Sequence, residues 1–118
     1  MHEIKVMLAS RPKMISDVIR NIIDRQSDMV TVGDVVDPIK LLSATRETRV
    51  DVVIVTSLKS AGEPKICNHL LAEHPRIKII VLIDEGKTIF VHKPDSAKEK
   101  INAPSTETIV NIIREPVL

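Results

Sequence analysis

Three groups of side chains in this chain have types and spacings that bear on chemistry. Cys67, His69 and Glu73 sit close together and are all metal-binding residue types. His69 and Glu73, four apart, share a helix face, but Cys67 stands two positions before His69 and points elsewhere. A core thiol and a solvated imidazole therefore account for them, and no metal is expected. The second group is Ser10, Arg11, Thr56, Ile83 and Asp84, each of which closes or follows an apolar run. A guanidinium beside two hydroxyls suits a small anion. The third is a run of cations in the C-terminal third: Lys87, His92, Lys93, Lys98 and Lys100. The plain reading of that run is a solvated surface. Segment 57–62 carries neither Walker-type lysine spacing nor a phosphate-cradling glycine pattern, and no serine elbow or local Ser/His/Asp set occurs. No catalytic residue is assigned, and the chain is not expected to be an enzyme.

These groups need a scaffold, and the apolar pattern predicts one. Ile4–Ala9 reads as a strand, and residues 11–25 carry Ile15, Val18, Ile19, Ile22 and Ile23 at helical spacing, with Ser10 as a candidate N-cap. Met29–Val36 reads as a second strand. Asp37-Pro38 starts a helix over 38–49. The β-branched run from Asp51 to Thr56 is a third strand, buried and parallel. Glu63-Pro64 opens a helix with Ile66, Cys67, Leu70 and Leu71 on its inner face. His74-Pro75 stops that helix, and Ile77–Ile83 is a fourth strand. This alternation predicts an α/β fold, a three-layer αβα sandwich of the flavodoxin-like kind. Ligand sites in such sheets lie beyond the carboxyl ends of the strands, where Ser10, Arg11, Thr56 and Ile83 fall.

After Ile83 the rhythm breaks. Thr88–His92 is a strong strand pattern, yet only Asp84-Glu85-Gly86-Lys87 separates it from the fourth strand. A parallel crossover needs about a dozen residues, so the chain must turn back as a hairpin, with Gly86 supplying the left-handed conformation. Lys93-Pro94-Asp95-Ser96 reads as a turn, after which Ala97–Asn102 returns as a further strand. A competing reading makes 97–101 a helical turn, because Ala-Lys-Glu-Lys favours helix. Ser105 caps a last helix carrying Ile109, Val110, Ile112 and Ile113.

At 118 residues the chain makes one domain, 1–118, large enough to bury a core unaided. Its apolar fraction of 43% is almost wholly aliphatic, with Phe90 the lone aromatic, which suits a buried sheet and not a base-stacking surface. With 17 basic against 16 acidic residues, the net charge of +1 gives no general attraction to nucleic acid or anionic membrane. The single cysteine fits a reducing cytoplasm. No signal peptide is read at the start, and no apolar run approaches the roughly 20 residues of a membrane span.

With the strands laid out, residues 4–83 resemble the receiver (CheY-like) domain of two-component response regulators in its NarL-like form. The resemblance lies in Ile4–Ala9, Val32-Gly33-Asp34, Asp51–Val55 and His74–Leu82; it fails over 84–103 and resumes at Ser105–Arg114. It implies a pocket of five groups. Two acids after the first strand and one after the third hold magnesium, and the third acid accepts the phosphoryl group. A hydroxyl after the fourth strand and a lysine after the fifth complete it. Here the two acids are replaced by Ser10 and Arg11, the acceptor by Thr56 and the hydroxyl by Ile83. Two positions compete for the lysine: Lys93, in a Lys-Pro step after an antiparallel strand and pointing away, and Asn102, by counting back from the last helix.

The expectation is a degenerate receiver, a pseudo-receiver whose pocket is vestigial, with no cofactor and no metal. Asp51 does not substitute for the acceptor, since it precedes Thr56 by roughly 16 Å along the strand. Arg11 is either a solvated first-turn residue or a guanidinium bonded to Ser10, Thr56 or Asp84; both leave the site unswitched. A hairpin in place of the fourth helix gives the positive expectation. Thr88, Ile89, Phe90, Val91 and His92, with Lys93, Lys98 and Lys100, form an interaction surface for a protein partner or for self-association through the 88–92 strand or the last helix. The lysines either protect the edge or dock an acidic partner, and His92 is expected to be exposed. The alternative function is small-anion or metabolite sensing in the carboxyl-end pocket. Direct nucleic-acid or membrane binding is not expected.

Overall fold

The fold comes from a computed structural model that describes residues 3–9, 13–35, 38–57, 66–83, 87–93 and 98–115. Chain order is β1 (Ile4–Ala9), α1 (Lys13–Asp24), β2 (Met29–Asp34), α2 (Pro38–Glu47), β3 (Val52–Ser57), α3 (Ile66–Glu73), β4 (Lys78–Ile83), β5 (Thr88–His92), β6 (Glu99–Asn102) and α4 (Thr106–Arg114). The strands form one sheet in the order β2-β1-β3-β4-β5-β6. The first four are parallel; β5 runs antiparallel to β4, and β6 antiparallel to β5. The order reverses between β1 and β3, so the crevice beyond their carboxyl ends is the topological switch point.

Period-2 alternation sends the strands' side chains to two cores. Val6, Leu8, Ile54, Ile80, Leu82, Ile89 and Val91 pack with Ile19 and Ile23 of α1 and Val110, Ile112 and Ile113 of α4. Met7, Val53, Val55, Ile79, Val81 and Ile83 pack with Leu41 of α2 and Cys67 and Leu70 of α3. Buried on both faces, β3 and β4 are continuous apolar runs for that reason.

Several boundaries move. β2 ends at Asp34, short of Val36, and β3 runs one residue past Thr56. Val18 is 55% exposed, because Ile19 and Ile23 take the inner row of α1 and leave Val18 on its shoulder. Segment 99–102 is strand, not helical turn: pairing with β5 outweighs the local helix preference of Ala-Lys-Glu-Lys. Ala103, at φ 50°, turns the chain out of β6, and Ser105 caps α4 by accepting the Thr108 N–H at 3.1 Å.

The amino edge of the sheet is tied by polar groups. Lys5 N–H donates to Asp51 Oδ2 at 3.0 Å, so Asp51 is a structural clamp far from Thr56. Arg114 donates to both Asp28 oxygens, at 2.7 and 3.0 Å, joining α4 to the α1–β2 loop. This hydrogen bond holds the Asp28 carboxyl below its ordinary 3.8. A carboxylate depressed on folding adds stability above its unfolded value and loses it as pH falls through the folded one. The stability gap between wild type and Arg114→Gln should therefore be fullest near neutrality and close as the pH falls through the lowered Asp28 value, read from urea midpoints. A gap unchanged down to pH 2 would assign the effect to packing.

Candidate functional site

The register fixes what stands at the carboxyl edge. Thr56 lies opposite Leu82, Ser57 opposite Ile83, Ile83 opposite Thr88, and Thr88 opposite Asn102. Thr56 is half-buried and hydrogen-bonding capacity there is one hydroxyl; Ile83 is 8% exposed and carries none. Thr56 is thus the next-to-last residue of β3, and the neighbouring strand exits through a buried aliphatic side chain. Ser10, Arg11 and Asp84 lie outside the described residues, as do Gly86 and the turn Pro94-Asp95-Ser96.

The structure brings Thr56 and Ile83 onto adjacent strands and sets Asn102 apart. Asn102 is exposed at the end of β6, two strands beyond Ile83, or about 10 Å away at ordinary strand spacing. Thr88 occupies the place next to Ile83 that counting back from the last helix assigned to Asn102. Only the antiparallel course of β5 reveals this, since it brings the start of that strand, not its end, to the carboxyl edge. Lys93 falls at the other end of the sheet, where its Nζ reaches Glu115 Oε2 at 2.8 Å. Asp34, at the exit of β2, is 3.5 Å from Arg20 Nη2.

The proposed surface on 88–92 splits by face. Ile89 and Val91 are 0% and 1% exposed beneath α4, which removes them from any contact surface. Phe90 is half-buried on the α2–α3 side, with Lys98 Nζ 4.8 Å and Lys100 Nζ 6.0 Å from its ring centroid. His92 is half-buried, not exposed, because its side chain shares that inner-facing row. Self-association by pairing through 88–92 is also corrected: β4 and β6 occupy both sides of β5, so the open edge belongs to β6.

Sequence reasoning missed Lys78. It begins β4, is 1% exposed, and donates from Nζ to the carbonyls of Ile112 and Glu115, each at 2.5 Å. These are unfilled acceptors at the C-terminus of α4. Burial lowers its pKa from 10.5; Glu115 opposes the shift and Lys93 adds to it. The signal available was a lone lysine inside an apolar strand, a residue type seldom fully buried without partners.

A cleft of about 860 Å³ opens at this amino edge, lined by Arg49, Asp51, His74, Arg76, Lys78 and Arg114 among others. The last turns of α2, α3 and α4 converge there, and their dipoles disfavour an anion. The acids nearby are already engaged: Glu73 pairs with Arg46, Asp28 with Arg114, and Asp51 with the Lys5 amide. Cys67 is buried in α3 while His69 is exposed, so those two do not converge. No described helix is long and apolar enough to cross a membrane.

No protein-family model and no curated protein matches the chain. Among solved structures, the fold is similar to that of the response regulator RcsB of Salmonella typhimurium, a structure described for its conformational dynamism for DNA interaction. The TM-score is 0.61 at 20% sequence identity, covering 70% of this chain and 44% of that one. The chain therefore spans less than half the length of that protein, and what is shared is a receiver-like fold.

Proposed function

We propose that this chain is a receiver-like signalling domain that has given up aspartyl phosphorylation and works by protein–protein contact. It fits two-component or transcription-control signalling, and the reading assigns it no enzymatic step, cofactor or direct contact with nucleic acid. The observation that carries it is the exit of β3. Thr56 stands where a receiver needs its acceptor carboxylate, and buried Ile83 stands where it needs a hydroxyl. A hydroxyl is neither a hard dianionic cradle for magnesium nor a source of a high-energy acyl phosphate. Ser10 and Arg11 supply no carboxylate from the first strand either. The antiparallel pair β5–β6, taken as the substitute for a receiver's fourth helix, is where contact is made.

Beryllofluoride with magnesium mimics the acyl phosphate of true receivers and gives the test. In a methyl-labelled sample, the Thr56, Ile54 and Ile83 signals should stay in place up to millimolar ligand. Saturable shifts centred on them would overturn the loss of phosphate switching.

A further inference from the structure

The contact surface can be specified further, on the reading that this domain acts by protein contact. Backbone geometry at β6 is decisive. Glu99 pairs with Val91, Lys100 with Phe90, Ile101 with Ile89 and Asn102 with Thr88. The Ala103 N–H donates to Lys87 O at 2.7 Å, so that position is a hydrogen-bonded pair. Antiparallel ladders alternate, which makes Ile101 and Glu99 the inward-bonding residues of β6. The N–H and C=O groups of Lys100 and Asn102 therefore point away from β5, and no strand lies beyond β6 among the described residues. The edge offers two bonding stations, roughly 7 Å apart, at the repeat of an added strand.

Side chains say what that strand would carry. On one face stand Lys100 and Lys98, gathered over the Phe90 ring. On the other stands half-buried Ile101, packed against the α1–α4 core. Glu99 shares the Ile101 face and lies 3.8 Å from Lys93 Nζ. A second copy fits poorly. A two-fold axis normal to the sheet keeps faces matched and sets Lys100 opposite or diagonal to the copy's own lysines, which is unfavourable.

We propose that β6 is a strand-addition site for an extended acidic segment of a partner protein. Its alternate residues are Asp or Glu beside Lys98 and Lys100, and β-branched residues fill the intervening positions beside Ile101.

The test uses the whole 118-residue chain, 15N-labelled, and two capped octapeptides, one alternating Glu and Val, the other Lys and Val. The Glu-Val peptide should bind saturably, with the largest shifts and slowed hydrogen exchange at the Lys100 and Asn102 amides. The Lys-Val peptide should bind at least tenfold more weakly. Lys100→Pro deletes an outward N–H while sparing the ladder bonds to β5, and should weaken binding at least tenfold. Lys100→Glu keeps the backbone and should do the same, which guards against a proline that unfolds the edge. Absence of saturable binding, shifts centred away from β6, or equal affinity for both peptides would overturn the proposal. So would a concentration-dependent dimer that Lys100→Pro abolishes, since the occupant would then be a second copy. None of these outcomes touches the loss of phosphate switching, which the beryllofluoride titration judges separately.

Discussion

Lys78→Ala should lower stability by about 3 kcal/mol, roughly 10 °C in Tm, although the residue lies far from the carboxyl edge. Two effects compete at this position. Burying an ammonium costs desolvation, and a buried charge is often replaceable by an apolar side chain. Against this, Nζ serves the Ile112 and Glu115 carbonyls at the end of α4, where the helix dipole and the Glu115 carboxylate both favour a cation. Removing the donor leaves the Ile112 carbonyl without its partner, and Ala also forfeits the packed stem. Lys78→Met restores the stem and not the donor, so it should recover about half of the loss. Urea denaturation of the three proteins decides the matter. If Met is as stable as wild type, the hydrogen bonds contribute nothing net.

The same residue carries a pH signature. Its folded pKa lies below 10.5, so between that lowered value and 10.5 the unfolded chain holds more protons than the native one. Stability then rises with pH through this window. The advantage of wild type over Lys78→Met should widen from pH 7 toward pH 10. A neutral amine still has two N–H groups for two carbonyls, so deprotonation removes repulsion from Lys93 and burial cost without breaking the clamp.

What could be read from residues alone follows a physical line. β3 and β4 announce themselves because β-branched runs buried on both faces leave little room for another pattern. The course of β5 follows from connection length, since four residues cannot cross over a sheet. β6 is less legible: Ala-Lys-Glu-Lys prefers helix, and only pairing with β5, a non-local term, turns it into strand. Alternation showed that Thr88–His92 has two faces but not which would be covered, so Ile89 and Val91 joined the expected surface and proved to be core. At the site, Thr56 and Ile83 were placed by simple strand ends. Counting back through a segment whose strand directions change puts Asn102 beside Ile83, where Thr88 stands; Asn102 lies one strand farther out. The partners of Lys78 lie 34 and 37 positions away in sequence, so a lone lysine in an apolar strand is the signal for it and the partners themselves are not legible.

The contrast between Ile80→Ala and Ile101→Ala should be the widest of any like-for-like pair in this sheet. Ile80 is fully buried on β4, flanked by Ile54 and Val91 and roofed by the helices of its face. Truncation there leaves a cavity that neighbours on two strands cannot fill, at a cost of about 4 kcal/mol. Ile101 makes the same apolar contact from the last strand, half-buried with solvent on its outer side. Water can occupy the space it leaves, so Ile101→Ala should cost about 1 kcal/mol. Thermal unfolding read by circular dichroism gives both values, and equal losses would mean that β6 is as integral to the core as β4. The gap bears on function as well as folding. A sheet that loses little when its outermost strand is disturbed holds that strand in place with few bonds and little buried area. It can then gain in proportion from a further strand laid along it.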